Sequence, residues 1–115
     1  MNKFMRIMVL FDLPTKNKAD RKKYSEFRRF LLNDGFQMLQ YSVYVRLCNG
    51  GFDVEKHAKR IQANTPKKGR AIMLILTNNQ YEDMKYLVGT KSEEKKKIRK
   101  KSKNNNEIKG QLTLF

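Results

Sequence analysis

Between Arg6 and Asp12, Ile7, Val9 and Phe11 alternate with Met8, Leu10 and Asp12. A period of two predicts a strand that is apolar on both faces until its last position, where Asp12 precedes Leu13-Pro14. Two apolar faces suit a central strand. Asn17 is a good helix cap, and Tyr24, Phe27, Phe30 and Leu31 then fall on one side at helical spacing, with Gly35 after Asn33-Asp34 as a stop. Phe36 to Leu39 and Ser42 to Leu47 read as two strands, the second alternating Val43, Val45 and Leu47 with Tyr44 and Arg46. Their tight connection implies an antiparallel pair. After Asn49-Gly50-Gly51, the spacing of Val54, Ala58 and Ile61 predicts a short helix, broken by Pro66 and Gly69. Ala71 to Leu76 is a continuous apolar run, which predicts a second buried strand. The order strand, helix, strand, strand, helix, strand is that of an α+β, ferredoxin-like βαββαβ domain. Met84 to Val88 is expected to add a short extra C-terminal strand, at this chain's own edge or a neighbour's.

Charge changes the picture from a fold to a class of partner. The chain has 115 residues and a formal net charge of +15 from 26 Lys and Arg against 11 Asp and Glu. Each phosphate that a cation neutralises releases condensed counterions, so such a surface favours nucleic acid. Composition divides the chain near Gly89, giving a domain over 1–90, a basic flexible tail over 91–110 and a terminal peptide over 111–115. The tail, with Lys95 to Lys103 followed by Asn104-Asn105-Asn106, has too few apolar residues to build a core. No apolar run is long enough for a membrane span, and Asp12 and Pro14 interrupt the stretch that a signal peptide would need. One cysteine, Cys48, and one histidine, His57, permit neither an internal disulfide nor a zinc cluster, and a reducing cytoplasm is the expected location.

The fold hosts many activities, so function must come from sites. RNA-reading versions carry paired aromatics on their central strands in a Lys/Arg-Gly-Phe/Tyr context, and neither Arg6 to Asp12 nor Arg70 to Leu76 has that signature. A stacking platform on the sheet is disfavoured. More specific are Phe11-Asp12-Leu13-Pro14, Arg21-x-x-Tyr24-x-x-Phe27-Arg28-x-Phe30-Leu31, Gly35-Phe36-x-Met38-x-Gln40-x-Ser42-Val43-Tyr44 and Asn64-x-Pro66-Lys67-Lys68-Gly69. In this order and spacing they resemble the second CRISPR-associated adaptation protein family, the small subunit that joins the CRISPR integrase in spacer acquisition. The resemblance covers roughly residues 4 to 89, in the branch found beside single-effector, RNA-guided DNA-cutting systems.

That resemblance implies a homodimer in which two copies of Asp12 face each other near the two-fold axis. It also implies a Mg²⁺-dependent endonuclease acting on single-stranded RNA or on DNA, with Asp12 as the catalytic and metal-holding residue. One chain offers only Asp12 at that location, so a dimer would supply the second carboxylate. Without the resemblance, Asp12 reads as a turn residue before Leu13-Pro14. No convincing general base accompanies it. His57 lies on a short helix far along the chain, where a lone His is commonly part-packed or solvent-facing. Tyr24 and Tyr44 read as core or interface aromatics, and Asp20 and Asp34 as residues of helix-end chemistry. Ser42 has two readings, as a group near Asp12 that binds phosphate or water, or as a strand serine that satisfies neighbouring backbone.

Scaffolding of double-stranded DNA, the protospacer, is the leading expectation. Arg21, Lys22, Arg28 and Arg29, with Lys16 and Lys18 before them, form a basic track in which Glu26 is the only acid, and such contacts position DNA without reading sequence. The plainer account is a solvated helix face. Lys67, Lys68 and Arg70 make a second basic turn, expected by analogy with the family to touch DNA or the integrase. At the end of the chain, Gln111, Leu112, Leu114 and Phe115 form a partner-binding peptide. It is read first as a strand added to the integrase and second as a motif that docks on the DNA polymerase sliding clamp. A metal-dependent endonuclease in its own right and a toxin-like ribonuclease of similar fold are the alternatives.

Overall fold

In a computed structural model of the chain, residues 3–89 are described, and the expected tail and the Gln111, Leu112, Leu114, Phe115 peptide lie outside them. The described residues divide at Asp83 into a first unit and a short second one that begins at Met84. In the first, β1 (Phe4–Asp12) is followed by α1 (Lys18–Asn33), β2 (Gln37–Gln40), β3 (Val43–Asn49), α2 (Gly51–Asn64), β4 (Arg70–Thr77) and α3 (Asn78–Glu82). The sheet runs in the order β2-β3-β1-β4, with every neighbouring pair antiparallel. This is the α+β, ferredoxin-like arrangement expected from the sequence, with β1 central.

Local chemistry explains the first helix at both ends. Asn17 is extended, and its side chain accepts the Asp20 backbone N–H at 2.8 Å. At the other end Gly35, at φ +92, turns the chain, so that its N–H reaches the Leu32 carbonyl and the Phe36 N–H reaches that of Leu31. This double closure seats Phe36 beside Leu31 in the core. Ile7, Val9 and Phe11 of β1 and Tyr44 of β3 meet Phe27 and Leu31 of α1 and Val54 and Ile61 of α2 in one apolar cluster. Met8, Leu10 and Asp12 alternate onto the opposite face.

Three expectations are corrected. β4 is not a buried strand: it pairs only with β1, at the sheet edge, and Ile72, Leu74 and Ile75 are exposed. A continuous apolar run records two apolar faces, and it cannot say whether both are covered within one chain. Met84 to Val88 carries no strand. A five-residue helix, α3, instead follows β4 directly, opened by a reciprocal cap in which the Thr77 hydroxyl takes the Gln80 N–H and the Gln80 side chain takes the Thr77 N–H. Its Tyr81 ring lies 4.2 Å from the Arg6 guanidinium carbon, while Arg6 Nε donates to Asn78 Oδ1. Third, His57 is not solvent-facing; it is 3% exposed. Among the described residues no helix is long and apolar enough to cross a membrane.

Candidate nucleic-acid interface

Asp12 ends β1, exposed, and stands opposite Arg70 at the start of β4. Among the described residues no hydrogen bond or ion pair engages its carboxylate, and no three His, Cys, Asp or Glu side chains form a metal-binding group. The turn before β4 closes on this strand end. Gly69 has φ +94, and a Cβ there would come within 2.9 Å of both the Asp12 carbonyl oxygen and Pro14 Cδ. Two costs therefore fall on one substitution, the left-handed backbone and a backbone clash. Gly69→Ala is expected to lower stability by about 2 kcal/mol and to move the Asp12–Pro14 segment, measured as a lower urea midpoint at unchanged slope.

The same turn brings the two basic stretches together at one end. Lys68 Nζ lies 3.5 Å from Asp20 Oδ1, joining the Lys67, Lys68, Arg70 turn to the first turn of α1. Arg21 Nη1 donates to the carbonyls of Thr15 and Lys16, both at 3.3 Å, which fixes the segment between Asp12 and the helix. Lys16, Lys18, Arg21, Lys22, Arg28, Arg29, Lys67, Lys68 and Arg70 are all exposed. Within α1, Lys18, Lys22 and Arg29 share the side away from Phe27 and Leu31, whereas Arg21 and Arg28 flank Tyr24. Arg28 and Arg29 stand two turns farther along, roughly 12 Å from Asp20 at 1.5 Å per residue.

Ser42, beside this end of β1, has an unusual conformation for a serine, φ +62. Its carbonyl accepts the Phe11 N–H at 3.1 Å and its hydroxyl lies 3.2 Å from that of Tyr24. Both contacts are internal, but Ser42 lies in the turn before β3 and its hydroxyl meets a phenol, so the expected strand serine bonded to backbone is corrected to a turn serine bonded to a side chain. Tyr44 is a core residue at 1% exposure, and Tyr24 is part-buried.

One group of residues escaped sequence reasoning. Asp34 accepts from His57 Nδ1 at 2.7 Å and from Arg60 Nη1 at 2.9 Å, and its carbonyl accepts from Arg46 Nη1 at 3.0 Å. Asp34 thus ties α1 to α2 and β3, well beyond the helix-end role expected of it. His57 Nε2 lies 3.4 Å from Asp53 Oδ1. The Asn49 backbone N–H, donating to Asp53 at 2.9 Å, holds that carboxyl below the usual range, with Lys56 and His57 adding to the effect. Burial pushes the Cys48 thiol up, with the Asp53 charge acting in the same direction. A buried thiol of that kind is a poor nucleophile.

The family model for CRISPR associated protein Cas2 matches residues 5–84, which run from the second residue of β1 through α3 and include every one of these features. The CRISPR-associated endoribonuclease Cas2 of Acidovorax ebreus (strain TPSY) is 49% identical over 94 residues, covering 82% of this chain and 92% of the relative. That of Ligilactobacillus salivarius (strain UCC118) is 49% identical over 90 residues, with 78% and 89% covered. The protein of the same name from Lacticaseibacillus rhamnosus is 42% identical over 90 residues, again with 78% and 89% covered. On the strength of these matches, the chain belongs to the CRISPR associated protein Cas2 family.

Proposed function

We propose that the protein is the DNA-binding scaffold of a CRISPR spacer-acquisition complex, acting as a homodimer beside an integrase subunit. The observation that supports this most is the meeting of the two basic stretches, through Lys68 and Asp20, at the strand end that carries Asp12. Contacts from such a surface go to phosphates and hold a duplex regardless of its sequence. Dimer formation is supported by the exposed apolar side chains of β4, since a single-neighbour strand with Ile72 and Leu74 open to water invites a second copy. The terminal Gln111 to Phe115 peptide is assigned to the integrase, with the sliding clamp as its rival.

Endonuclease activity is the second reading, favoured by the name endoribonuclease that the relatives carry and by the unengaged Asp12 carboxylate. Mg²⁺ is commonly held by one or two carboxylates together with substrate phosphate and waters, and an exposed carboxylate free of protein partners fits that role. Bound there, the ion would neutralise phosphate charge and acidify a water. Asp12 would hold it, a second chain would present a second Asp12, and Arg70 and Lys68 would orient the phosphate.

Integration into a CRISPR array by the cognate integrase, with wild-type protein, Asp12→Ala or neither, separates the two. Equal stimulation by both forms is expected of a scaffold. Failure of an Asp12→Ala protein that still dimerises and binds DNA would put the nuclease reading first.

A further inference from the structure

The aromatic core does not end inside the protein. Phe11 packs edge-on against Phe27 with ring centroids 5.1 Å apart, and against Tyr24 at 5.7 Å. Tyr24 in turn stacks on Tyr41 at 6.3 Å with 23° between the planes. Tyr41 is 75% exposed. A ring so placed lies beside a fixed neighbour and leaves most of its surface in water.

Its position is enforced by the residue that follows. Serine at φ +62 is costly, and the conformation persists only where the surroundings hold it. Here the Ser42 carbonyl is tied to Phe11, next to Asp12, and its hydroxyl to Tyr24. The strained turn therefore holds the Tyr41 backbone next to Tyr24 at the sheet end where Asp12 lies. Arg21 and Arg28 lie one turn to either side of Tyr24 on α1, so two exposed arginines share its side of the helix, with the Arg21 guanidinium donating to the Thr15 and Lys16 carbonyls. A rigid exposed aromatic face beside cations is the usual means of holding an unpaired base by stacking while its phosphates are neutralised. Inside a duplex the bases are already stacked on one another, and only the terminal pairs leave a face open to such a ring.

From this geometry we propose that Tyr41, braced by Tyr24 and Ser42, is a stacking site for an unpaired nucleotide at the Asp12 end of the sheet. The site deepens the nucleic-acid reading above and rests on it. It makes the protein a binder of single-stranded segments as well as of duplex, through a hairpin residue and not through the sheet.

The test uses a single-stranded DNA oligonucleotide carrying 2-aminopurine and a blunt duplex of the same length, with the full chain as wild type, Tyr41→Ala and Tyr41→Phe. Sedimentation and urea unfolding check that all three share one assembly state and stability. The expected result is that wild type and Tyr41→Phe quench 2-aminopurine, and that Tyr41→Ala loses the quench and about 10-fold in single-strand affinity at unchanged duplex affinity. Equal single-strand binding by Tyr41→Ala, equal losses on both DNAs, or a Tyr41→Phe protein that behaves as Tyr41→Ala would each overturn the proposal. If wild type binds duplex but not single strand, this site alone is refuted; if it binds neither, the scaffold reading falls with it.

Discussion

Asp34→Asn is expected to destabilise the protein by about 2 kcal/mol, roughly thirtyfold in the folding equilibrium. The Asp34 side chain is 7% exposed and serves two donors with its two oxygens, His57 at 2.7 Å and Arg60 at 2.9 Å. An amide offers one oxygen and one NH₂, so its oxygen can serve only one of those donors and its NH₂ faces the other unless the imidazole changes tautomer. Arg60, half exposed, can turn to water, whereas His57 cannot. The loss is therefore that of a buried hydrogen bond to a charged group, in the middle of the range of about 1 to 3 kcal/mol. Arg60→Gln should cost under about 1 kcal/mol, as for any largely exposed partner. Urea denaturation of the two variants checks the difference. Equal small losses would mean that the contact does not hold the helices together. Because the Asp34 carboxylate joins the end of α1 to α2, its loss also loosens the helix that carries the basic track, while the Arg46 bond from β3 to the Asp34 backbone carbonyl remains.

What the sequence made legible was whatever one element encodes by itself. The alternation of Ile7, Val9 and Phe11, the Asn17 cap and the Gly35 stop each depend on neighbours within a few residues, and the strand and helix they predict lie where expected. β4 was located but misjudged, because Ala71 to Leu76 looks the same whether its outer side is covered by this chain or left open. α3 is shorter than two turns, too short for periodicity, and only the Thr77-x-x-Gln80 spacing announced it. At the site, the basic residues were legible as two separate stretches; their meeting was not, since Lys68 and Asp20 are 48 residues apart. Asp34 and His57, 23 apart, were hidden for the same reason. Tyr41 was missed differently. A tyrosine before a serine in a turn carries no pattern, and the left-handed Ser42 that positions it is the sort of local conflict that sequence propensity argues against.

Lys22→Gln combined with Arg29→Gln is expected to weaken duplex binding by about 30-fold at ~0.15 M salt for each protomer that touches the DNA. The estimate assumes that each cation neutralises one phosphate, which steepens the salt dependence by about 0.9 in log-log slope. Both residues lie on the outward stripe of α1, exposed and remote from the apolar cluster, so the fold should survive the change. Net charge alone is not the cause that this pair tests. Lys56→Gln combined with Lys59→Gln removes the same charge from exposed positions of α2, and under a general electrostatic attraction it would weaken binding to the same degree. A defined track predicts otherwise: the α1 pair loses affinity and flattens the salt dependence by about 1.8 per protomer, while the α2 pair changes both far less. Titrations at four salt concentrations with a blunt duplex decide between them. Parallel losses in the two double variants would reduce the basic face of α1 to a solvated surface. A selective loss, doubled in slope when the protein is dimeric, would place the duplex across both copies of α1, next to the two strand ends that carry Asp12.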